Sequence, residues 1–142
     1  MLDYGVYSIS FDVGFLEEFP NVVEGRRIDF NGLDMDWQIF MSCKDVQVHT
    51  NISAQFASTS KAVIVGDKGS IEWEHQFNRT NQVSLYDADG QKLETCVYEY
   101  ASQGFEYEIE EVYRCMIDGR LESEKVSWRS SFETLRLMDM LL

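Results

Sequence analysis

Residues 33–56 hold the most restrictive pattern in the chain. Leu33, Met35, Trp37, Ile39, Met41 and Cys43 alternate with Asp34, Asp36, Gln38, Phe40 and Ser42. After Lys44-Asp45, the residues Val46, Val48, Thr50, Ile52, Ala54 and Phe56 alternate with Gln47, His49, Asn51, Ser53 and Gln55. Side chains of a strand point to opposite faces with period two, so this stretch predicts two long strands with one face buried. The Lys44-Asp45 junction is short enough for a tight hairpin.

The flanking segments decide the architecture. At the front, Leu2, Val6, Ile9, Val13 and Leu16 form one stripe at helical spacing, and Tyr4, Tyr7, Phe11 and Phe15 form a second. A helix apolar on two sides belongs between layers. Gly5 and Gly14 would each cost such a helix about 1 kcal/mol relative to Ala. Pro20-Asn21 marks a break, and Val22 to Phe30 reads as an edge strand.

Further on, "KAVIVGDKGSIEWE" predicts a short strand, a turn at Asp67-Lys68-Gly69 and a strand carrying Ile71 and Trp73. Gln82 to Asp87 and Lys92 to Tyr100 flank "DADG", where Asp89-Gly90 suits a hairpin turn. Helical spacing then returns with Phe105, Ile109, Val112, Tyr113, Met116 and Ile117. Glu106, Glu108, Glu110 and Glu111 load the positive end of the helix dipole, and Gly119-Arg120 suits the stop. A last helix has Ser130 and Glu133 at capping-box spacing and Phe132, Leu135, Met138 and Leu142 as its apolar side. Helix, meander, helix, helix is an α+β pattern. It predicts one domain over residues 1–142, an open, mostly antiparallel sheet of six or seven strands with helices on one face.

Composition narrows the function. A chain of 142 residues, 44% hydrophobic and 13% aromatic, supports one folded core. Its formal charge of -13 argues against nucleic acid and against an acidic membrane surface, since both are held by Lys and Arg clusters. No apolar run approaches the roughly 20 residues of a membrane span, and no signal peptide is evident. Cys43, Cys96 and Cys115 are an odd set without metal-ligand spacing, and read as buried free thiols of a protein in a reducing cytoplasm. His49 and His75 have no local second ligand, so no metal site is expected. The sequons at Asn51 and Asn78 are read as chance matches.

Motifs that would carry chemistry outright are missing: there is no G-x-G-x-x-G, Walker loop, H-E-x-x-H or nucleophile elbow. "GDKGS" sits between strands and is better read as a hairpin than as a phosphate loop. Asp3 and Tyr7, one helical turn apart, are the remaining pair. A tyrosine hydroxyl can relay a proton when its neighbours orient it or lower its pKa. Taken alone, the pair also reads as an exposed acid beside a packed aromatic.

Three stretches nevertheless resemble one family. "LDYGVYSISF" resembles the L-x-D-x-G-x-(H/Y) segment that opens the substrate half of the Gfo/Idh/MocA oxidoreductases. "VGDKGSIEW" is similar to that family's G-T-K-G-x-I hairpin. "GFEYEIEEVYRCMIDGRLESEKVSWRSSFETLRLMDMLL" is similar to its C-terminal helix, glutamate-serine loop and last helix, in the same order.

The resemblance implies a two-domain enzyme. Its Rossmann half binds NAD or NADP and supplies a lysine from a Glu-Lys-Pro motif; its α+β half carries substrate and subunit contacts. The family's aspartate and following histidine or tyrosine fall on Asp3 and Tyr7. The tyrosine form resembles the dihydrodiol dehydrogenase and glucose-fructose oxidoreductase branches. Gly5 would let the helix backbone approach the nicotinamide, and Phe77 and Phe105 fall where the family lines its cleft for a sugar, polyol or dihydrodiol.

This chain carries neither the dinucleotide fingerprint nor Glu-Lys-Pro. The expectation is therefore an excised domain in which Met1 replaces upstream sequence, unable by itself to bind a dinucleotide. A natural fragment, or a non-catalytic binding or assembly module that keeps the fold, is the competing reading. The outward residues of the two best strands, Gln38, Phe40, Ser42, Gln47, His49, Asn51, Ser53 and Gln55, are neutral hydrogen-bonding groups with an aromatic among them. That is the composition of a wet interface, and it predicts a homodimer through the open face of the sheet.

Overall fold

In the computed structural model, residues 2–16 and 18–141 are described. Met1, Glu17 and Leu142, and the side chains of Leu2 and Val22, lie outside that description. The expectations for Met1, for Leu2 in the first stripe and for Leu142 in the last helix therefore fall outside it too. The elements run α1 (Leu2–Phe15), β1 (Val22–Phe30), β2 (Leu33–Cys43), β3 (Val46–Ser53), β4 (Ala62–Gly66), β5 (Gly69–Trp73), β6 (Gln82–Asp87), β7 (Lys92–Val97), α2 (Phe105–Ile117) and α3 (Trp128–Leu141). All strand pairings are antiparallel, so the fold is α+β as the pattern predicts.

The seven strands fall into two sheets, β1-β2-β3 and β4-β5-β6-β7, rather than one. Ser53 Oγ accepts from the backbone N–H of Gln55 at 3.1 Å and of Phe56 at 3.3 Å, and so turns the chain out of β3 before Phe56. Two compact units result: Met1–Ala57 with Arg120–Leu142, and Ser58–Gly119.

In the first unit the predicted alternation is realised. Trp37, Ile39, Met41 and Cys43 of the central strand are buried, while Gln38 and Phe40 between them are exposed. A strand cannot bury one face without a covering layer, and here α1 and α3 supply it. α1 packs on β3 and on α3, and α3 packs on β1. Ile9 and Val13 of α1, Ile39, Met41 and Ile52 of the sheet, and Leu137 and Met138 of α3 form the core. Among the described residues of its second stripe, Tyr4, Tyr7 and Phe15 stand exposed and Phe11 is half-buried. The between-layers expectation thus holds for one face alone.

Turn chemistry sets the register. Asn31 and Gly32 both have positive φ, 52° and 79°, which is the requirement of the two-residue hairpin joining β1 to β2. Lys44 takes φ 52° in the next hairpin, with its ammonium 3.2 Å from Glu18. The cap of α3 is Ser127, one turn earlier than the predicted capping box. Its Oγ accepts from Ser130 N–H at 3.1 Å, and Glu133 instead pairs with Arg129 at 2.9 Å.

The second unit is a meander of sequential hairpins. Gly69, φ 146°, is obligatory at the β4–β5 turn, because a Cβ there would lie 2.0 Å from the Tyr86 carbonyl oxygen. Between β6 and β7, Asp87 Oδ1 accepts from Asp89 N–H and Gln91 N–H at 3.0 and 2.8 Å. β7 ends at Val97, short of the predicted Tyr100, whose hydroxyl donates to the Thr80 carbonyl at 2.6 Å. α2 begins after Gly104, where the Glu106 carboxylate accepts from Ser102 N–H and Gly104 N–H, both at 2.8 Å. It stops at Asp118 and Gly119, the latter with φ 65°. The apolar residues expected to form its packed face, Phe105, Ile109, Val112, Tyr113, Met116 and Ile117, are exposed, and Cys115 is buried instead. Of the three thiols expected to be buried, Cys43 and Cys115 are, whereas Cys96 on the exposed strand β7 is not.

Candidate functional site

α1 presents Asp3 and Tyr7 one turn apart, the spacing that puts two side chains on one helix face. Both are exposed, Tyr7 by 55% and Tyr4 beside it by 63%. Neither Asp3 nor Tyr7 makes a side-chain hydrogen bond or ion pair among the described residues. Gly5, between them in sequence, is buried. This face of the helix is open, with a carboxylate and two phenols directed away from the core.

Phe77 and Phe105 belong to the second unit. Phe77 is half-buried in the segment after β5, where its backbone N–H donates to the Ser60 carbonyl at 2.8 Å. Phe105, the first residue of α2, is 63% exposed. Among the described residues no three His, Cys, Asp or Glu side chains gather to hold a metal ion, and no helix is long and apolar enough to cross a membrane.

One titratable group escaped the sequence reading. Asp12 of α1 lies on the buried flank, next to Val13 and three residues from Ile9. It accepts a 2.6 Å hydrogen bond from Thr50 Oγ1 of β3. Burial raises its carboxyl from the ordinary 3.8 to about 6, with the Thr50 hydroxyl pulling the other way. Its position inside the Ile9–Val13 stripe was the only signal in the sequence.

The sign of the resulting pH effect follows from that raised value. The folded protein holds the proton more tightly than the unfolded chain. Stability from Asp12 is therefore fully present below about pH 4 and lost as the pH rises through about 6. At about 1.4 kcal/mol per unit, the full span is about 3 kcal/mol. Asp12→Asn, which keeps an acceptor for Thr50, should match the parent near pH 4 and exceed its stability by up to that amount at pH 7. Paired urea titrations across this range check it. A difference that does not change with pH would count against the buried carboxyl.

No protein-family profile matches the chain, and no curated protein does. Among solved structures, the fold is similar to that of the aldose-aldose oxidoreductase from Caulobacter crescentus, in a complex with glycerol. The TM-score is 0.74 at 16% identity. The likeness extends over 97% of this chain and 42% of that one. At that identity it establishes a shared fold. The chain spans well under half of the oxidoreductase it matches.

Proposed function

We propose that this chain is the substrate and dimerisation portion of a cytoplasmic NAD(P)-dependent oxidoreductase of the Gfo/Idh/MocA type. The observation that carries the reading is a fold shared with an aldose-aldose oxidoreductase over nearly the whole chain. Three sequence stretches support it by resembling that family in the same order. In the intact enzyme, hydride would pass between a nicotinamide and a carbon bearing a hydroxyl on a sugar, polyol or dihydrodiol. Tyr7 would relay the hydroxyl proton, together with a lysine from the Rossmann portion, and Asp3 would orient substrate or Tyr7.

The open, aromatic face of α1 suits this role. A tyrosine that must meet substrate and cofactor cannot also be buried against its own sheet. The test is spectrophotometric: the intact protein is offered NAD or NADP with aldoses, polyols and dihydrodiols, and nicotinamide reduction is followed. No turnover with any of these would favour the non-catalytic assembly module.

The dimer belongs to the same reading. Gln38, Phe40, Gln47, His49, Asn51 and Ser53 are exposed on the sheet face opposite the helices, where the Phe40 and His49 rings meet edge to face at 4.9 Å. Introducing Asn51→Lys with Ser53→Lys puts two cations per chain into the centre of that face. Light scattering at high micromolar concentration should then show the dimer split into monomers. A parent chain that is already monomeric there, or an unaffected dimer, would defeat this part of the proposal.

A further inference from the structure

We infer that the Asp12–Thr50 pair sets the rotation at which α1 presents Asp3 and Tyr7, which makes Asp12 a positioning residue for that face. α1 meets the sheet through Ile9 and Val13, which share a core with Ile39, Met41 and Ile52. Apolar burial is non-directional, so such contacts tolerate a helix that turns or slides a little. A hydrogen bond does not, because it needs both distance and angle. Among the described residues, the 2.6 Å bond from Thr50 Oγ1 to Asp12 Oδ2 is the one side-chain hydrogen bond between α1 and the sheet.

Helix geometry links that bond to the candidate pair. At about 100° per residue, Tyr7 lies about 140° round the helix from Asp12, and Asp3 about 180°. Pinning Asp12 against β3 therefore aims Asp3 and Tyr7 away from that strand, and both are exposed. Thr50 is fixed in its turn, opposite Ile39 in the β2–β3 ladder and on the inward side with Val48 and Ile52. Among the described residues no charged group offsets a charge on Asp12. The inward residues of β3 do not titrate. On α3, which also packs on α1, Glu133 is paired with Arg129, Arg136 lies over the Phe19 ring and Asp139 is exposed. Ionisation of Asp12 thus places an uncompensated charge on the one polar tie of the helix, and the face that this tie orients should respond.

Fluorine NMR of the chain carrying 3-fluorotyrosine tests this, with the Tyr7 line assigned by its loss in Tyr7→Phe. Between about pH 4 and about pH 7.5 that line should move, with a midpoint at about 6. In Asp12→Asn, which keeps an acceptor for Thr50 but does not titrate, the movement should vanish; this comparison separates Asp12 from any histidine in the same range. Thr50→Val keeps the shape and removes the donor. Its midpoint should rise, because the hydroxyl that favours the charged form is gone. The consequence for turnover rests on the oxidoreductase reading: in the intact protein, Thr50→Val should lower kcat about tenfold or more, the scale of a displaced reacting group. A Tyr7 line that follows Asp12 in an intact protein without turnover would sink that reading and uphold the positioning. A Tyr7 line that ignores pH, a movement that persists in Asp12→Asn, or a midpoint unmoved by Thr50→Val would each overturn the positioning, whatever the turnover.

Discussion

On the proposed oxidoreductase reading, Tyr7→Phe in the intact protein is expected to lower kcat by roughly 100-fold or more, the usual scale of general acid–base help. The substitution removes one oxygen and leaves the ring. Because the Tyr7 hydroxyl has no partner among the described residues and the side chain is largely exposed, folding should lose almost nothing. That separation makes the test sharp, since a fall in kcat with an unchanged melting temperature assigns the loss to chemistry. Asp3→Asn provides the companion measurement. If Asp3 orients substrate, the loss should appear in KM as well as kcat. Unchanged turnover in Tyr7→Phe would return Tyr7 to the role of a surface aromatic.

For stability, the largest effect is expected at Ile39. It is 1% exposed on the central strand and faces a core closed by Ile9, Leu137 and Met138. Truncation to Ala removes apolar contacts from two helices at once and leaves a cavity that the flanking strands cannot fill. The cost should be about 2–5 kcal/mol, against a total of about 5–15 kcal/mol for a typical domain. Ile109→Ala on α2 is the control, with 68% of the residue exposed; it should shift stability by no more than about 0.5 kcal/mol. Urea melts of the two variants should therefore differ plainly. Equal effects would mean that the first unit's core is not where the strand alternation puts it.

Period-two alternation in residues 33–56 was legible because one face of β2 and β3 meets helices and the other does not. The edge position of β1 was legible from the Pro20-Asn21 break ahead of it. The division into two sheets was not. β3 stops at Ser53, whose hydroxyl closes a local turn, and a serine in an alternating run gives no sign of which hydrogen bond it will make. Asn31-Gly32 was a readable hairpin signal that passed unremarked beside the longer strand pattern. At the candidate site, the helical spacing of Asp3 and Tyr7 could be read directly. The environment of Asp12 could not, because desolvation comes from neighbours that only the tertiary packing brings together.

The first unit is discontinuous along the chain, with residues 58–119 interposed between its sheet and its last helix. During synthesis, then, β1, β2 and β3 emerge well before Leu137 and Met138 exist to cover them. The intervening meander pairs only neighbours in sequence and can form promptly, whereas the first core waits on a loop closure spanning most of the polypeptide. A ribosome stalled before residue 128 would display a sheet with Trp37, Ile39 and Met41 partly bare, a surface that invites chaperones and aggregation. The final turns of α3 therefore act as the latch that ends this vulnerable interval.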